Sequence, residues 1–178
     1  MKKIVAVIPA RGGSKRVPNK NIRNFQGQPL VAWSIKAAQS EQLIMDIVVS
    51  TDSSEISEIA ISYGASVVDR PKNLSSDTAS TQDALDHVFS QDQYNDADFF
   101  VILQPTSPLR NSKDITKAIK TFKRLRCKSL VSVSETFQHP NDMFFIDKNK
   151  KKIKIIKKNK VGNRQNFKKS IFVNGAIY

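Results

Sequence analysis

The sequence IVAVIPARGGSKRVPNKN, residues 4–21, joins an apolar run to a basic segment that contains two adjacent glycines. The apolar residues 4–8 predict a buried β-strand that ends at Pro9-Ala10. The segment that follows carries four cations and no acidic residue: Arg11, Lys15, Arg16 and Lys20. Glycine lets backbone N–H groups turn toward phosphate oxygens, and cations neutralise phosphate charge. The stretch therefore predicts a polyphosphate-binding loop at the end of a strand.

The glycine spacing in this loop differs from two common nucleotide-binding motifs. A Walker A loop requires GxxxxGK followed by Ser or Thr, and a dinucleotide-binding turn requires GxGxxG; residues 4–21 contain neither pattern. The alternative interpretation is that Gly12-Gly13 only forms a tight turn and that the cations are solvated. So much positive charge in one turn is self-repelling unless an anion binds there, which favours the binding interpretation.

Length and composition indicate one domain over residues 1–178. The chain is 39% hydrophobic and 25% charged, which suits a domain with a substantial core. Its single cysteine, Cys127, excludes an intrachain disulfide and argues against a zinc cluster. The apolar run at 4–8 is too short for a signal peptide, and no run approaches membrane-span length. These features predict a cytoplasmic protein without a membrane partner.

The net charge of +13 is concentrated in two regions of the chain. Residues 1–23 hold seven cations and residues 148–160 hold eight lysines, both without acids, which leaves −2 for the remainder. The surplus raises the alternative of a nucleic-acid-binding protein. The chain has no recognisable nucleic-acid-binding module, however, and no aromatic residues interleave the lysines, so we predict no nucleic-acid partner.

Apolar runs alternate with amphipathic stripes along the chain. Strands are predicted at 4–8, 47–50, 67–68, 99–103, 130–133 and 171–178, and helical stripes at 30–38, 56–63, 81–89 and 112–122. This pattern predicts an α/β fold with a mostly parallel sheet and helices on both faces. The polar clusters 11–21, 51–52, Arg70 and 104–110 follow strands. In such sheets ligands bind at the carboxyl ends of strands, so these clusters are expected to share a site.

The alternation of apolar strands and amphipathic helices changes after residue 137. Residues 143–146 and 153–156 are apolar runs that flank a turn-prone stretch, which predicts a small lysine-rich hairpin. Lysine on an exposed strand discourages unwanted pairing, so a solvated protrusion is one interpretation. The other is a flap that attracts anions toward the site.

Five segments, taken in order, resemble the acylneuraminate cytidylyltransferases, or CMP-sialic acid synthetases. They are IPARGGSK at 8–15 with Lys20-Asn21, VSTD at 49–52, Arg70-Pro71 continuing to DTAS at 77–80, LQPTSPLR at 103–110, and NGAIY at 174–178. Each segment alone is a weak signal. Their order over the whole chain is specific.

The resemblance implies a nucleotide-diphospho-sugar transferase, or glycosyltransferase-A-like, fold. It implies an enzyme that transfers CMP from CTP to N-acetylneuraminic acid or a close nine-carbon α-keto acid sugar, with release of pyrophosphate. Nucleotide contacts carried over by position are Arg11, Gly12, Gly13, Ser14, Lys15, Lys20, Asn21, Arg70 and Ser80. Arg11 and Lys20 would be catalytic, as the cations that hold the triphosphate. Sugar contacts would be Gln104, Arg164 and Asn174.

The resemblance also implies Mg²⁺ as cofactor, a homodimer of the full-length protein and a role in making cell-surface polysaccharide. The family's metal-binding aspartates are expected beyond Tyr178, so the chain is expected to be truncated at its C-terminus and to contain no metal ligands of its own. Activity of this chain therefore stays an open expectation.

The chemistry requires no nucleophilic side chain, since the sugar's anomeric hydroxyl attacks the α-phosphorus and the protein positions charge. Consistent with this, no Ser/His/Asp or Cys/His set is evident. Two alternatives stay open: a cytidylyltransferase for legionaminic, pseudaminic or 3-deoxy-octulosonic acid, and an inactive nucleotide-binding fragment. The LQPTSPLR segment favours the sialic-acid-like branch over the pseudaminic and octulosonic branches, without excluding legionaminic acid.

Overall fold

A computed structural model of the chain describes residues 2–76, 79–139 and 169–178, together with the backbone of 144–147 and 152–155. The chain forms two compact units. The first comprises Met1–Ser132 with Gly175–Tyr178, and the second comprises Val133–Asn174. That residues 1–178 act as one nucleotidyltransferase domain stays a prediction.

Strands and helices alternate through the first unit, as the sequence pattern predicts. The strands of both units are β1 (Ile4–Pro9), β2 (Asn24–Phe25), β3 (Gln28–Pro29), β4 (Asp46–Thr51), β5 (Ser66–Asp69), β6 (Phe99–Ile102), β7 (Val133–Glu135), β8 (Phe144–Asp147), β9 (Lys152–Ile155) and β10 (Ile171–Val173). The α-helices are α1 (Leu30–Gln39), α2 (Ser54–Ser62), α3 (Thr81–Phe89) and α4 (Ser112–Leu125). Short 3-10 turns occur at Lys20–Ile22, Lys72–Leu74 and Asp92–Tyr94.

The main sheet has the order β5-β4-β1-β6, and every pairing in it is parallel. β1 is central, and Val7 lies between Val48 of β4 and Ile102 of β6. The parallel sheet predicted from the near-continuous apolar strands is thus confirmed. Because all four strands point the same way, their carboxyl ends meet at one edge.

Helices cover both faces of this sheet, and β1 contributes side chains to the hydrophobic cluster on each face. Ile4, Ala6 and Ile8 pack in a cluster that includes residues of α1, α2 and α4. Val5 and Val7 point the opposite way, into a cluster that includes Leu85 and Val88 of α3 and Tyr94. Side chains alternate across a strand, so a strand buried on both faces must be apolar throughout. The prediction of helices on both faces is confirmed.

Helix starts follow ordinary capping chemistry. Ser80 and Asn111 each form a capping box, with their side chains accepting from the backbone N–H groups of Asp83 and Asp114. Ser53 caps α2 by accepting from the Ile56 N–H at 3.4 Å. These caps fix where α2, α3 and α4 leave the carboxyl edge of the sheet.

Two predicted strands differ from the structure. In the predicted strand 130–133, only Val133 is in a strand, because β7 begins there and continues to Glu135. The predicted strand 171–178 ends at Val173, since Gly175 adopts a left-handed conformation with φ 76° that interrupts extended backbone. β7 and β10 pair antiparallel within the second unit. In the first unit, Tyr178 exchanges backbone hydrogen bonds of 2.9 and 3.1 Å with Ile102.

The predicted hairpin is confirmed at the level of the backbone. β8 and β9 pair antiparallel, with Phe144 opposite Ile155 and Asp147 opposite Lys152. The lysines of the connecting turn lie outside the described residues. Among the residues that are described, no helix is long and apolar enough to cross a membrane.

Candidate functional site

A cavity of about 390 Å³ lies in the first unit and is lined by residues that follow β1, β5 and β6. Its walls come from the loop after β1, from Arg70 just past β5, from the start of α3 and from the segment after β6. The lining residues are Pro9, Arg11, Ser14, Lys15, Arg16, Val17, Lys20, Asn21, Arg70, Thr81, Ala84, Gln104, Pro105 and Thr106. We call this the basic cavity. It occupies the position expected of a ligand site in a parallel α/β sheet.

Charge distinguishes the basic cavity more than its size does. Five of its lining residues are cations, and no aspartate or glutamate is among those described as lining it. Like charges at this density are unfavourable in the absence of an anion. Oxygen-rich, multiply charged anions are therefore the ligand class that this lining fits.

The loop after β1 is held in shape by Asp52, at the end of β4. The Gly12 N–H donates to Asp52 Oδ1 at 2.9 Å. A Cβ at Gly12 would lie 3.1 Å from the Cβ of Ser53, so a side chain there would press on the adjoining loop. Asp52 thus fixes the loop through a backbone amide, and this N–H is used within the fold.

Asn21 connects the two ends of the basic loop. Its side chain is almost fully buried, and Nδ2 donates to the backbone carbonyl of Arg11 at 2.9 Å. Its Oδ1 is also buried, in the cavity lining, and has no hydrogen-bond partner. Buried polar atoms are unfavourable without a partner, so this oxygen differs from most buried polar atoms in the fold. Arg11 itself donates from Nη1 to the carbonyl of Ser76 at 2.9 Å.

Arg70 is anchored at the end of β4. Its Nε donates to Ser50 Oγ at 3.1 Å and its Nη2 donates to the Ser50 carbonyl at 2.8 Å. Burial lowers the pKa of Arg70, the nearby Asp52 carboxylate opposes that shift, and the Arg11 cation adds to it. Two bonds from one planar guanidinium fix its orientation in the cavity wall.

The structure brings most predicted site residues together. Those lining the basic cavity are Arg11, Ser14, Lys15, Lys20, Asn21, Arg70 and Gln104. Gly12, Gly13 and Ser80 are not among the lining residues, and the Ser80 hydroxyl caps α3 by accepting from Asp83 N–H at 3.1 Å. Asn174 lies in the second unit, where its Nδ2 donates to Ser134 Oγ at 2.8 Å. Arg164 lies outside the described residues.

Two features of the site were not predicted from the sequence. Thr81 lines the cavity from the first turn of α3, and Asp52 fixes the basic loop. Asp52 stands in the polar pair that ends a predicted strand, which signalled the correct edge of the sheet. Its contact with the Gly12 N–H could not be predicted, because a contact between residues 40 positions apart depends on the tertiary fold.

Metal ions in proteins are commonly bound by acidic, histidine and cysteine side chains. No group of three or more of these comes together among the residues that the structure describes. Mg²⁺ requires several oxygen ligands in near-octahedral geometry. The described side chains therefore do not fit a complete magnesium site.

A second and larger cavity, of about 630 Å³, runs along β6 in the first unit. Its lining is mainly apolar, with Phe100, Phe122 and Leu130 prominent and Lys128 the only charged residue described there. We call it the apolar cavity. It shares Thr81 and Gln104 with the basic cavity. An apolar lining fits a charged nucleotide poorly, so the smaller cavity is the better candidate.

The sequence matches a known family over most of its length. The family described as cytidylyltransferase matches residues 5–171. The chain is 41% identical over 135 residues to the N-acylneuraminate cytidylyltransferase of Escherichia coli O18:K1:H7, which covers 75% of this chain and 32% of that protein. It is 37% identical over 182 residues to the pseudaminic acid cytidylyltransferase of Campylobacter jejuni, covering 99% of this chain and 77% of that protein. The chain thus spans about a third of the first relative.

The fold also matches that of a solved nucleotide-sugar enzyme. CMP:2-keto-3-deoxy-manno-octonic acid synthetase complexed with CTP aligns with a TM-score of 0.61 at 23% identity, over 75% of this chain and 52% of that one. At this identity the likeness concerns the fold alone. The expected nucleotide-diphospho-sugar transferase fold is confirmed.

Proposed function

The chain belongs to the cytidylyltransferase family, and we propose that it transfers CMP from CTP to N-acetylneuraminic acid or a related α-keto acid sugar, releasing pyrophosphate. The observation that carries this proposal is the basic cavity, with five cations and no described carboxylate on its lining. A nucleoside triphosphate is the anion whose charge and length suit such a lining.

Arg11 and Lys20 are the catalytic residues of this proposal. Both line the basic cavity, on either side of the turn that Asn21 closes. They hold the triphosphate and stabilise the charge that develops as pyrophosphate leaves. The sugar hydroxyl forms a bond to the α-phosphorus, the bond to the β-phosphate oxygen breaks, and the hydroxyl proton passes to water or to a phosphate oxygen.

The nucleoside is held by Asn21 and Arg70 in this proposal. The unpartnered Oδ1 of Asn21 accepts from a ligand N–H or O–H, and the anchored guanidinium of Arg70 donates to a ligand oxygen. A pyrimidine base and its ribose offer both kinds of group. Thr81 also lines this cavity, and Gln104, which lines it too, is the residue that contacts the sugar in this proposal.

Mg²⁺ enters the proposal as a cofactor of the whole reaction, neutralising phosphate charge. The described side chains form no complete site for it, so no step is assigned to it here. Chelation by EDTA is expected to abolish turnover, with recovery on adding excess Mg²⁺. Full activity in EDTA would remove the metal from the proposal.

The identity of the sugar is the finer part of the proposal. The relatives act, by name, on N-acylneuraminate and pseudaminic acid, and the chain is similar to both. The test is to incubate the protein with CTP and a panel of keto-sugars, scoring pyrophosphate release and CMP-sugar formation. Neuraminic-type sugars are expected to give the highest kcat/KM. CTP binding without turnover on any sugar would favour the binding-only alternative.

Assembly and location complete the proposal. We expect a homodimer, tested by sedimentation of the whole protein, and a cytoplasmic location, tested by cell fractionation. A monomer at all concentrations, or recovery with the envelope fraction, would contradict these two expectations without affecting the proposed chemistry.

A further inference from the structure

Arg110 joins three parts of the first unit that are distant in sequence. It is buried, with 7% of its surface exposed. Its Nη1 donates to the backbone carbonyl oxygens of Gln104 at 3.2 Å and Ala176 at 2.7 Å, and its Nη2 donates to Ser34 Oγ at 2.7 Å. One guanidinium thus fixes the start of the LQPTSPLR turn, the segment after Gly175 and helix α1 relative to one another.

This arrangement is unfavourable for stability alone. Burial lowers the pKa of Arg110 to about 10, and Asp114 offsets only part of that shift. The cation remains protonated at neutral pH, yet its described acceptors are neutral oxygens and its Nε is buried without a partner. A well-packed apolar side chain often serves a core at least as well as a buried charge. The fork geometry of arginine, rather than its charge, explains the residue here.

Gly175 leaves room for the side chain of Gln104. It has φ 76°, and a Cβ built on it would lie 3.0 Å from Gln104 Oε1 and 3.6 Å from the Tyr178 hydroxyl oxygen. The Gln104 side chain therefore lies against bare backbone. A Cβ at Gly175 would press on Oε1 of Gln104, so the Gln104 amide would have to shift, and Gln104 is a residue that lines the basic cavity.

We propose that Arg110 and Gly175 are positioning residues that set the orientation of the Gln104 amide and thereby determine which keto-sugar is accepted. The inference rests on the proposed function. Arg110 holds the backbone carbonyl of Gln104, and Gly175 leaves room for the Gln104 side chain. A glutamine amide offers both donors and an acceptor, so its orientation decides which sugar substituents are matched. A sugar whose polar groups do not match the site is rejected strongly, because buried polar groups of the site are then left without partners.

The first test compares Arg110→Lys and Gly175→Ala with the wild-type protein. Each variant is expected to raise the KM for the preferred sugar by about tenfold or more, while the Kd for CTP changes by less than about twofold. Gly27→Ala is the matched control, because Gly27 has φ 87° but open space around its Cβ position. It introduces similar backbone strain and is expected to leave the sugar KM unchanged. A parallel loss of CTP affinity in Gly175→Ala would overturn the proposal.

The second test uses Gln104→Ala as a background. If Gly175 acts through Gln104, Gly175→Ala adds little to the sugar KM once the amide is gone, so the two effects are strongly non-additive. Full additivity would mean that Gly175 acts independently of Gln104, and the proposal would fail.

A third measurement does not depend on turnover. The side-chain amide NMR signals of Gln104 are expected to shift in Arg110→Lys and Gly175→Ala, but not in Gly27→Ala. Unchanged Gln104 signals in the first two variants would refute the positioning role even if no sugar is turned over. By contrast, shifted signals without CTP binding or pyrophosphate release would refute the proposed function and leave the positioning role standing.

Discussion

Two cavities of the first unit meet at Thr81 and Gln104, and they differ in polarity and in how their walls are held. The apolar cavity is the larger, at about 630 Å³ against about 390 Å³ for the basic cavity. The basic cavity has walls anchored by polar contacts, in which Gly12 is fixed by Asp52 and Arg70 by Ser50. The difference shows that anchored charge, rather than volume, distinguishes the proposed nucleotide site.

The contrast follows from where each cavity lies on the sheet. The basic cavity is formed by loops at the carboxyl edge, where backbone groups and polar side chains end the strands. The apolar cavity runs beside β6, an outer strand of the described four-stranded sheet. Its lining comes largely from β6 and from residues of α3 and α4, which pack against the sheet, so it is apolar for packing reasons.

The largest expected effect separates a cation of the basic cavity from one of the apolar cavity. Lys20→Ala is expected to lower kcat/KM for CTP by about a hundredfold to a thousandfold, the usual cost of removing one charge-stabilising group. Lys128→Ala, in the apolar cavity, is expected to change it by less than twofold. Pyrophosphate release measures both. Equal effects of the two substitutions would remove the distinction between the cavities.

The next effect concerns the anchor of the basic loop. Asp52→Ala removes the acceptor of the Gly12 N–H and is expected to weaken CTP binding by about tenfold, equivalent to ~1.4 kcal/mol. Asp52→Asn keeps an acceptor oxygen and is expected to lose much less. Calorimetric titration with CTP measures the difference. Equal losses for Asn and Ala would show that the charge of Asp52, rather than its contact with the loop, matters.

A smaller effect is expected when the apolar cavity is made polar. Val131 lines that cavity and is 44% exposed, so Val131→Ser is expected to leave the fold intact. The Kd for CTP should then stay within about twofold of wild type, because the nucleotide is proposed to bind in the basic cavity. A tenfold loss of CTP affinity would place part of the ligand in the apolar cavity.

The smallest effect is expected at Tyr94, which packs in one cluster with Leu85, a residue of the apolar cavity. Tyr94 packs edge-on against Phe100, and burial, with a contribution from Asp46, raises its pKa from 10.0 to about 12. The unfolded state therefore loses this proton first, so the contribution to stability is present below pH 10 and is lost as pH rises toward 12. The difference in phenolate absorbance between wild type and Tyr94→Phe should have its midpoint near pH 12. A midpoint near 10 would contradict the burial argument.

Local patterns were sufficient to predict most of the fold. The predicted helix at 81–89 has the bounds of α3, and the apolar run at 4–8 became β1 with one further residue. Capping residues and strand periodicity depend on residues that are close in sequence, so they can be recognised without the structure. The strand predicted at 171–178 was too long, because the left-handed turn at Gly175 depends on its tertiary neighbours.

Most residues that line the basic cavity could be anticipated from the sequence, whereas the contacts that hold them could not; that these residues bind the expected ligands stays a prediction. The cations of the basic loop and Gln104 were expected at one edge because they follow strands in a parallel sheet, whereas a sugar-binding role for Gln104 was implied only by the family resemblance. The roles of Asp52 and Arg110 were not, because their bonds join residues 40 and 66 positions apart. A sequence shows which polar groups exist, whereas only the fold shows which of them are already paired.

The most direct measurement compares the affinities of CTP and CMP for the wild-type protein and for the Arg11→Ala/Lys20→Ala double variant. If the basic loop holds the triphosphate, wild type binds CTP at least about tenfold more tightly than CMP, and this ratio falls close to one in the double variant while CMP affinity is retained. An unchanged ratio in the double variant would contradict the account, because the terminal phosphates would then bind elsewhere.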